Sequence, residues 1–217
     1  MIALDTIVIL DFGSQVTQLI ARRLRSVNIH AIIVPFTVPL AELKKPEVRG
    51  IILSGGPASV YAKGAPQVDK KIFELGKPVL GICYGFQLMA HHLGGAVKRE
   101  EKREYGEARL KIKDPTELFK GTPKEQTVWM SHGDSVVKLP KNFSVIASSS
   151  NTPLAAAKHN TLPIYAIQFH PEIWHTQHGT RILENFAKTI CRAKAEWTTK
   201  HFISEAKAQI QAQVGGR

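Results

Sequence analysis

Residues 81–95 read GICYGFQLMAHHLGG, and the short apolar run Val79-Leu80-Gly81-Ile82 leads into them. The run has the look of a buried strand, and Phe86 to Leu93 contains no helix breaker. Between the two, Gly81-Ile82-Cys83-Tyr84-Gly85 has the G-x-nucleophile-x-G form of a nucleophile elbow, with cysteine where hydrolases often carry serine. The spacing has a steric cause. A sharp strand-to-helix turn strains the backbone at the nucleophile, and larger neighbours two positions away would collide with each other and with the helix. The pentapeptide alone fits equally well a small thiol packed at a tight turn, since free cysteine is among the most buried residue types.

Working outward, the first half of the chain alternates short β-branched runs with helical patterns, which predicts a parallel sheet with crossover helices. Strands are expected at 6–11, 31–34, 50–53 and 79–82. Val16, Leu19, Ile20, Leu24 and Val27 recur at helical spacing between the first two, with Ser14 in place to cap that helix. From Glu107 to His159 the pattern changes to short extended segments at 108–112, 128–130, 145–147 and 155–157, separated by Pro, Gly and Asn, which suggests antiparallel additions. An apolar strand at 164–169 then precedes a helix with Ile182, Leu183, Phe186, Ala187 and Ile190 on one face. The fold class expected is α/β: an open, mostly parallel central sheet with flanking helices and antiparallel strand additions.

At 217 residues, with 43% hydrophobic and 22% charged residues, the chain has the composition of an ordinary globular protein, enough for one well-cored domain. Its two cysteines, the absence of a signal-peptide pattern and the lack of any apolar run near the ~18 residues of a membrane span predict a cytoplasmic protein with free thiols and no membrane partner. The formal charge of +11 raises the question of nucleic acid. Its basic residues are scattered, however, and the densest stretch, Lys98 to Glu104, alternates in sign and reads as a solvated mixed-charge face. No aromatic-interleaved basic motif appears, so no nucleic-acid partner is expected.

A thiol at a helix N-terminus needs a base to complete its chemistry. Residues 168–172 read QFHPE directly after the last apolar strand, placing His170 and Glu172 at a strand end, where open α/β sheets keep their sites. Positions two apart in extended backbone point the same way, so imidazole and carboxylate can face each other. Cys83, His170 and Glu172 then form a triad by role. Cys191, beside the apolar stripe of the last long helix, reads as packing. The run His170-Pro-Glu-Ile-Trp-His175 is not a zinc helix, because the Glu is displaced and Pro171 disfavours the helix, and no metal is expected. Ser54-Gly55-Gly56-Pro57 lacks the Lys-Ser/Thr ending of a phosphate loop and suits a turn whose backbone N–H approaches a substrate oxygen.

Taken in order, SGGP at 54–57, GICYGFQ at 81–87 and HPE at 170–172 resemble the class I (triad-type) glutamine amidotransferases. DFGSQ at 11–15, REYG at 103–106, WMSHGD at 129–134 and HPEIWHTQHG at 170–179 are similar to the amidotransferase domains of GMP synthases. The resemblance implies a flavodoxin-like fold and glutamine as substrate, with Cys83 attacking the side-chain amide, His170 moving the proton and Glu172 orienting it. It also implies an oxyanion hole of the Gly56 and Tyr84 amides, and substrate contacts from Gly55, Gln87, Ser131, His132 and Asp134, the last suited to the ammonium of glutamine. No cofactor is implied in this chain. ATP and magnesium would belong to a partner, the ATP pyrophosphatase (synthetase) domain or subunit that converts xanthosine monophosphate to GMP. On that comparison, residues 1–194 are the amidotransferase domain, and 195–217, with Ile203, Ala206, Ile210 and Val214 at helical period, are a linker toward the synthetase. The segment around Arg103 and the loop after Glu172 are the expected docking surface. Val16, Ile173 and Trp174 depart from the family pattern. The competing readings are a γ-glutamyl peptide hydrolase with the same triad and, more distantly, a non-catalytic basic nucleic-acid-binding module.

Overall fold

The computed structural model describes residues 4–215, and the side chains at 100–103, that of Arg103 in the expected docking segment among them, and at 202, 204, 205, 208, 209 and 212 lie outside the described residues. Among the described residues, nine strands form one sheet in the order β2-β1-β3-β4-β9-β8-β7-β5-β6. The strands are β1 (Thr6–Asp11), β2 (His30–Pro35), β3 (Val48–Leu53), β4 (Val79–Ile82), β5 (Ala96–Ile112), β6 (Glu125–Lys138), β7 (Phe143–Ser148), β8 (Ala156–His159) and β9 (Ile164–Ile167). The first five in spatial order pair in parallel, and β8, β7, β5 and β6 continue the sheet antiparallel. This is the expected mixed α/β architecture.

Strands buried on both faces read as continuous apolar runs, and β1, TIVILD, does so because the sheet is covered on each side. Alternation within it sorts the two cores. Ile7 and Ile9 pack with Ile20, Leu24, Ile182 and Phe186, under helices α1 (Thr17–Ser26) and α4 (Gly179–Glu184). Val8 and Leu10 pack with Tyr84, Phe86 and Leu88 of helix α3 (Tyr84–His92), with Leu43 of α2 (Leu40–Lys44) in the same core. A π-helix at Asn185–Ile190 extends α4, and α5 (Thr199–Val214) leaves Ile203, Ile210 and Val214 exposed. Among the described residues, no helix is long and apolar enough to cross a membrane.

Three local expectations change. Helix α1 starts at Thr17, and Ser14 closes the turn before it, its Oγ accepting from the Val16 amide at 3.2 Å. The β3–β4 crossover is not an α-helix but a long loop with a single 3-10 turn at Lys70–Glu74, which the Pro- and Gly-rich sequence of that stretch favours. The mixed-charge segment belongs to β5, and its Glu104 turns inward, with a carboxylate oxygen 3.3 Å from His132 Nε2. Both cysteines are free. Cys191 is buried, and burial pushes its thiol well above the usual value; its Sγ fills the space over Gly50, where a Cβ would lie only 2.2 Å from the sulfur.

Registers align the strand ends that matter. Leu53 of β3 pairs with Gly81 of β4, and Ile82 of β4 with Ile167 of β9. The segments following β3, β4 and β9 therefore leave the sheet side by side at its carboxyl edge. The β5–β6 ribbon closes over them, its Trp129 carbonyl accepting from the His170 amide at 3.0 Å.

Candidate active site

Cys83 is the pivot of the turn between β4 and α3, with φ 51° and ψ −104°. That conformation lifts the thiol out of the sheet and is tolerated only where the surroundings enforce it. The enforcement comes from both flanking glycines. A Cβ on Gly81 would sit 2.7 Å from the Gly85 backbone, and one on Gly85 only 2.3 Å from the Leu53 carbonyl oxygen. Helix α3 thus lies against the end of β3, with the Gly85 amide donating to Ser54 O at 3.1 Å. Gly85→Ala is expected to force the helix off the sheet and cost about 3 kcal/mol of stability, measured by urea unfolding. A loss under about 0.5 kcal/mol would show that the close approach is not required.

His170 and Glu172 follow β9 in a loop tied to the ribbon. Thr176 Oγ1 donates to the His170 carbonyl at 2.6 Å and accepts from the Trp129 amide at 2.9 Å. Gln177 and Thr127 exchange two more bonds of 2.9 Å. With its carbonyl and amide fixed, the His170 ring is held by Glu172, whose Oε1 lies 2.7 Å from Nδ1. A proton on Nδ1 leaves Nε2 as the basic nitrogen of the ring, and the Cys83 sulfur is near enough to act on its charge. Burial alone would pull the imidazole down, but the Glu172 carboxylate and the Cys83 sulfur outweigh it and hold His170 well above its usual value. Glu172 is 2% exposed, and its second oxygen, Oε2, is buried without a hydrogen-bond partner among the described residues.

These groups open onto a cavity of about 690 Å³ whose lining includes Gly56, Cys83, Gln87, Ser131, His132, Asp134 and His170, together with Ser59, Tyr61, Arg99 and Tyr105. Gly55 lies against the Cys–His pair: a Cβ there would be 3.1 Å from His170 Cε1 and 3.8 Å from Cys83 Cβ. Gly56 has less room still: a Cβ there would lie 2.7 Å from the Phe12 carbonyl oxygen. The Tyr84 amide is a first-turn donor of α3, without an acceptor inside the helix. The Tyr84 ring points away, its hydroxyl donating to Pro66 O at 2.6 Å. Cys83 Sγ lies 3.6 Å from the Ser131 carbonyl.

The remaining wall residues differ in what they leave available. The Gln87 side-chain amide donates to the Asp134 carbonyl at 2.7 Å and so braces β6 from α3. Both ring nitrogens of His132 face protein groups, Nδ1 at 3.2 Å from Ser135 Oγ and Nε2 toward Glu104. Burial keeps this histidine below its usual value, against the pull of Glu104. Thr152 in turn donates to Glu104 at 2.5 Å. Asp134 accepts from Ser59 Oγ through one carboxylate oxygen, and the residue lines the cavity. Ser59, Arg23 and Thr176 are absent from the sequence-based expectations. Each is a common residue type whose importance lies in a contact distant in sequence; Thr176 lies within the quoted run 170–179 and Ser59 two residues past SGGP, whereas Arg23 lies in no quoted motif. Among the described residues, no three His, Cys, Asp or Glu side chains cluster as a metal site would need.

Residues 8–190 match the family model described as glutamine amidotransferase class-I. A glutamine-hydrolyzing GMP synthase of Gloeobacter violaceus is 48% identical over 216 residues, covering 100% of this chain and 39% of that protein. Its counterpart in Aquifex aeolicus is 51% identical over 209 residues, covering 96% and 41%. The chain thus spans about two fifths of the length of the curated relatives it matches. Among solved structures, a Thermoplasma acidophilum protein described as one subunit of a GMP synthase superposes with a TM-score of 0.79 at 34% identity, covering 93% of this chain and 98% of that one. A Thermotoga maritima glutamine amidotransferase, at 16% identity and a TM-score of 0.66 over 89% of this chain and 100% of its own, shares the fold. With the elbow, the His–Glu pair and the cavity all at the carboxyl edge of one sheet, and with the match running through nearly its whole length, the chain belongs to the class-I glutamine amidotransferase family.

Proposed function

We propose that the chain is the glutaminase module of a GMP synthase, releasing ammonia from L-glutamine through a Cys83–His170–Glu172 triad. The observation that carries this reading is the Cys83 thiol, raised on a strained elbow, beside an imidazole whose far nitrogen is 2.7 Å from a buried carboxylate. In the first step Cys83 Sγ gives its proton to His170 and attacks the carboxamide carbon of glutamine. The resulting oxyanion is met by the amides of Gly56 and Tyr84, each donor worth roughly 3 kcal/mol in such sites. His170 passes a proton to the departing nitrogen, the C–N bond breaks, and ammonia leaves a γ-glutamyl thioester. Water then attacks the thioester while His170 takes its proton, the C–S bond breaks, His170 returns the proton to the sulfur, and glutamate leaves with the thiol restored. Glu172 keeps the Nδ1–H tautomer and offsets the charge of the imidazolium. The carboxylate of Asp134, in the cavity lining, suits the α-ammonium of the substrate, with Gly55, Gln87, Ser131 and His132 shaping the pocket around it.

Ammonia would be consumed by an ATP pyrophosphatase, as a domain or a separate subunit, that converts xanthosine monophosphate and itself binds ATP and magnesium. The length of the GMP synthase relatives supports this partner, as do the exposed apolar residues of α5, beyond a domain of residues 1–194. The test is intact mass spectrometry after treatment with a chloroketone analogue of glutamine. One adduct is expected, mapped to Cys83 and prevented by excess glutamine. Labelling that glutamine does not protect, or an adduct on Cys191, would remove the proposed pocket.

A further inference from the structure

Arg23 stands on the buried side of the triad, on α1, and touches neither the cavity nor the sulfur. Its Nε donates to the Glu172 carbonyl at 2.7 Å, and its Nη1 donates to Thr180 Oγ1 at 2.6 Å. One planar guanidinium thus grips both ends of the loop that runs from Glu172 to the start of α4, and Arg23 and Glu172 also interact through their charges. The loop has few other restraints at Glu172. Its remaining ties, through Thr176 and Gln177, hold the stretch toward the ribbon, and Gly179 packs against the Pro171 carbonyl, only 2.0 Å from where a Cβ would lie. The Glu172 carboxylate, with one oxygen on His170 and the other unpartnered, therefore depends on its own backbone for aim.

We infer that Arg23 is a positioning residue for the triad, fixing the Glu172 backbone from α1 so that its carboxylate meets His170 Nδ1 before substrate arrives. The inference rests on the glutaminase reading above. A fork of this kind cannot be replaced by a point charge: lysine can reach one acceptor and not both in the same plane. Removing it loosens a contact that orients the base without altering the cavity wall that binds glutamine.

The experiment uses the full chain and the chloroketone analogue, whose inactivation kinetics separate binding from reaction. Arg23→Ala should lower kinact roughly 10- to 100-fold while KI stays within about threefold. Millimolar guanidinium should restore much of the loss, and sodium chloride at equal ionic strength should not. Thr180→Val removes only the outer grip and should lower kinact a few-fold at unchanged KI, which keeps the inference testable if the alanine variant folds poorly. Unchanged kinact in both variants, or a rise in KI matching any fall in kinact, overturns the positioning role. A wild-type chain that the analogue does not inactivate overturns the functional reading and this inference together, whereas an inactivated wild type matched by its variants overturns this inference alone.

Discussion

Cys83→Ala should lower glutamine hydrolysis by at least ~10⁴-fold, because among the described residues no second thiol lines the cavity and covalent catalysis has no substitute route of similar rate. The measurement is ammonia release by the purified chain, or by the chain with a synthetase added, compared with wild type under saturating glutamine. Activity within tenfold of wild type would remove the thioester from the mechanism. The same position carries a second expectation, on stability. A non-glycine residue at φ 51° and ψ −104° holds strain of ~1–3 kcal/mol. Glycine relieves it, at a cost of ~0.5–1 kcal/mol in chain entropy. Cys83→Gly should therefore be more stable than Cys83→Ala by about 1 kcal/mol while equally inactive. An alanine variant as stable as the glycine one would mean the turn is unstrained.

Glu172→Gln is the second large effect. The amide oxygen can still accept from Nδ1, but the anion that holds a proton on His170 is gone, so kcat should fall ~10³- to 10⁴-fold with little change in binding. Stability should change with a definite sign. His170 is held well above its ordinary value of about 6.5 in the folded chain, so the pair stabilises fully below that pH and loses its contribution as pH rises through the raised value. The stability difference between wild type and Glu172→Gln should accordingly be largest near pH 6 and shrink toward alkaline pH, followed by chemical denaturation across the range. A difference that grows with pH would place the proton elsewhere.

Much of this arrangement is legible in the chain itself. β1 and β4 are short apolar runs bounded by glycine or polar residues, and a fully buried strand has no other way to appear. Gly81 and Gly85 disclose the elbow because no other residue fits against Leu53 and the helix. The 17-residue strand β5 is not legible at its full length. Its charged half alternates without a hydrophobic face, and only pairing with β6 makes it extended. The inward turn of Glu104 depends on His132, and the grip of Arg23 on a loop 149 positions away, so neither leaves a local pattern. Ser14 fails as a helix cap because a turn intervenes and Val16 takes that position, a difference of two residues that propensity does not resolve.

The sheet order has a kinetic consequence. Strands β4 and β9 are neighbours at its centre, yet the whole antiparallel arm lies between them in sequence. During synthesis the middle of the sheet keeps an open, apolar gap beside β4 until the residues of β9 emerge, and the nascent chain must hold that gap against wrong pairing. Closure of so long a loop is slow, and the reactive thiol is made long before the base that would use it. Refolding should therefore recover secondary structure well ahead of enzymatic competence.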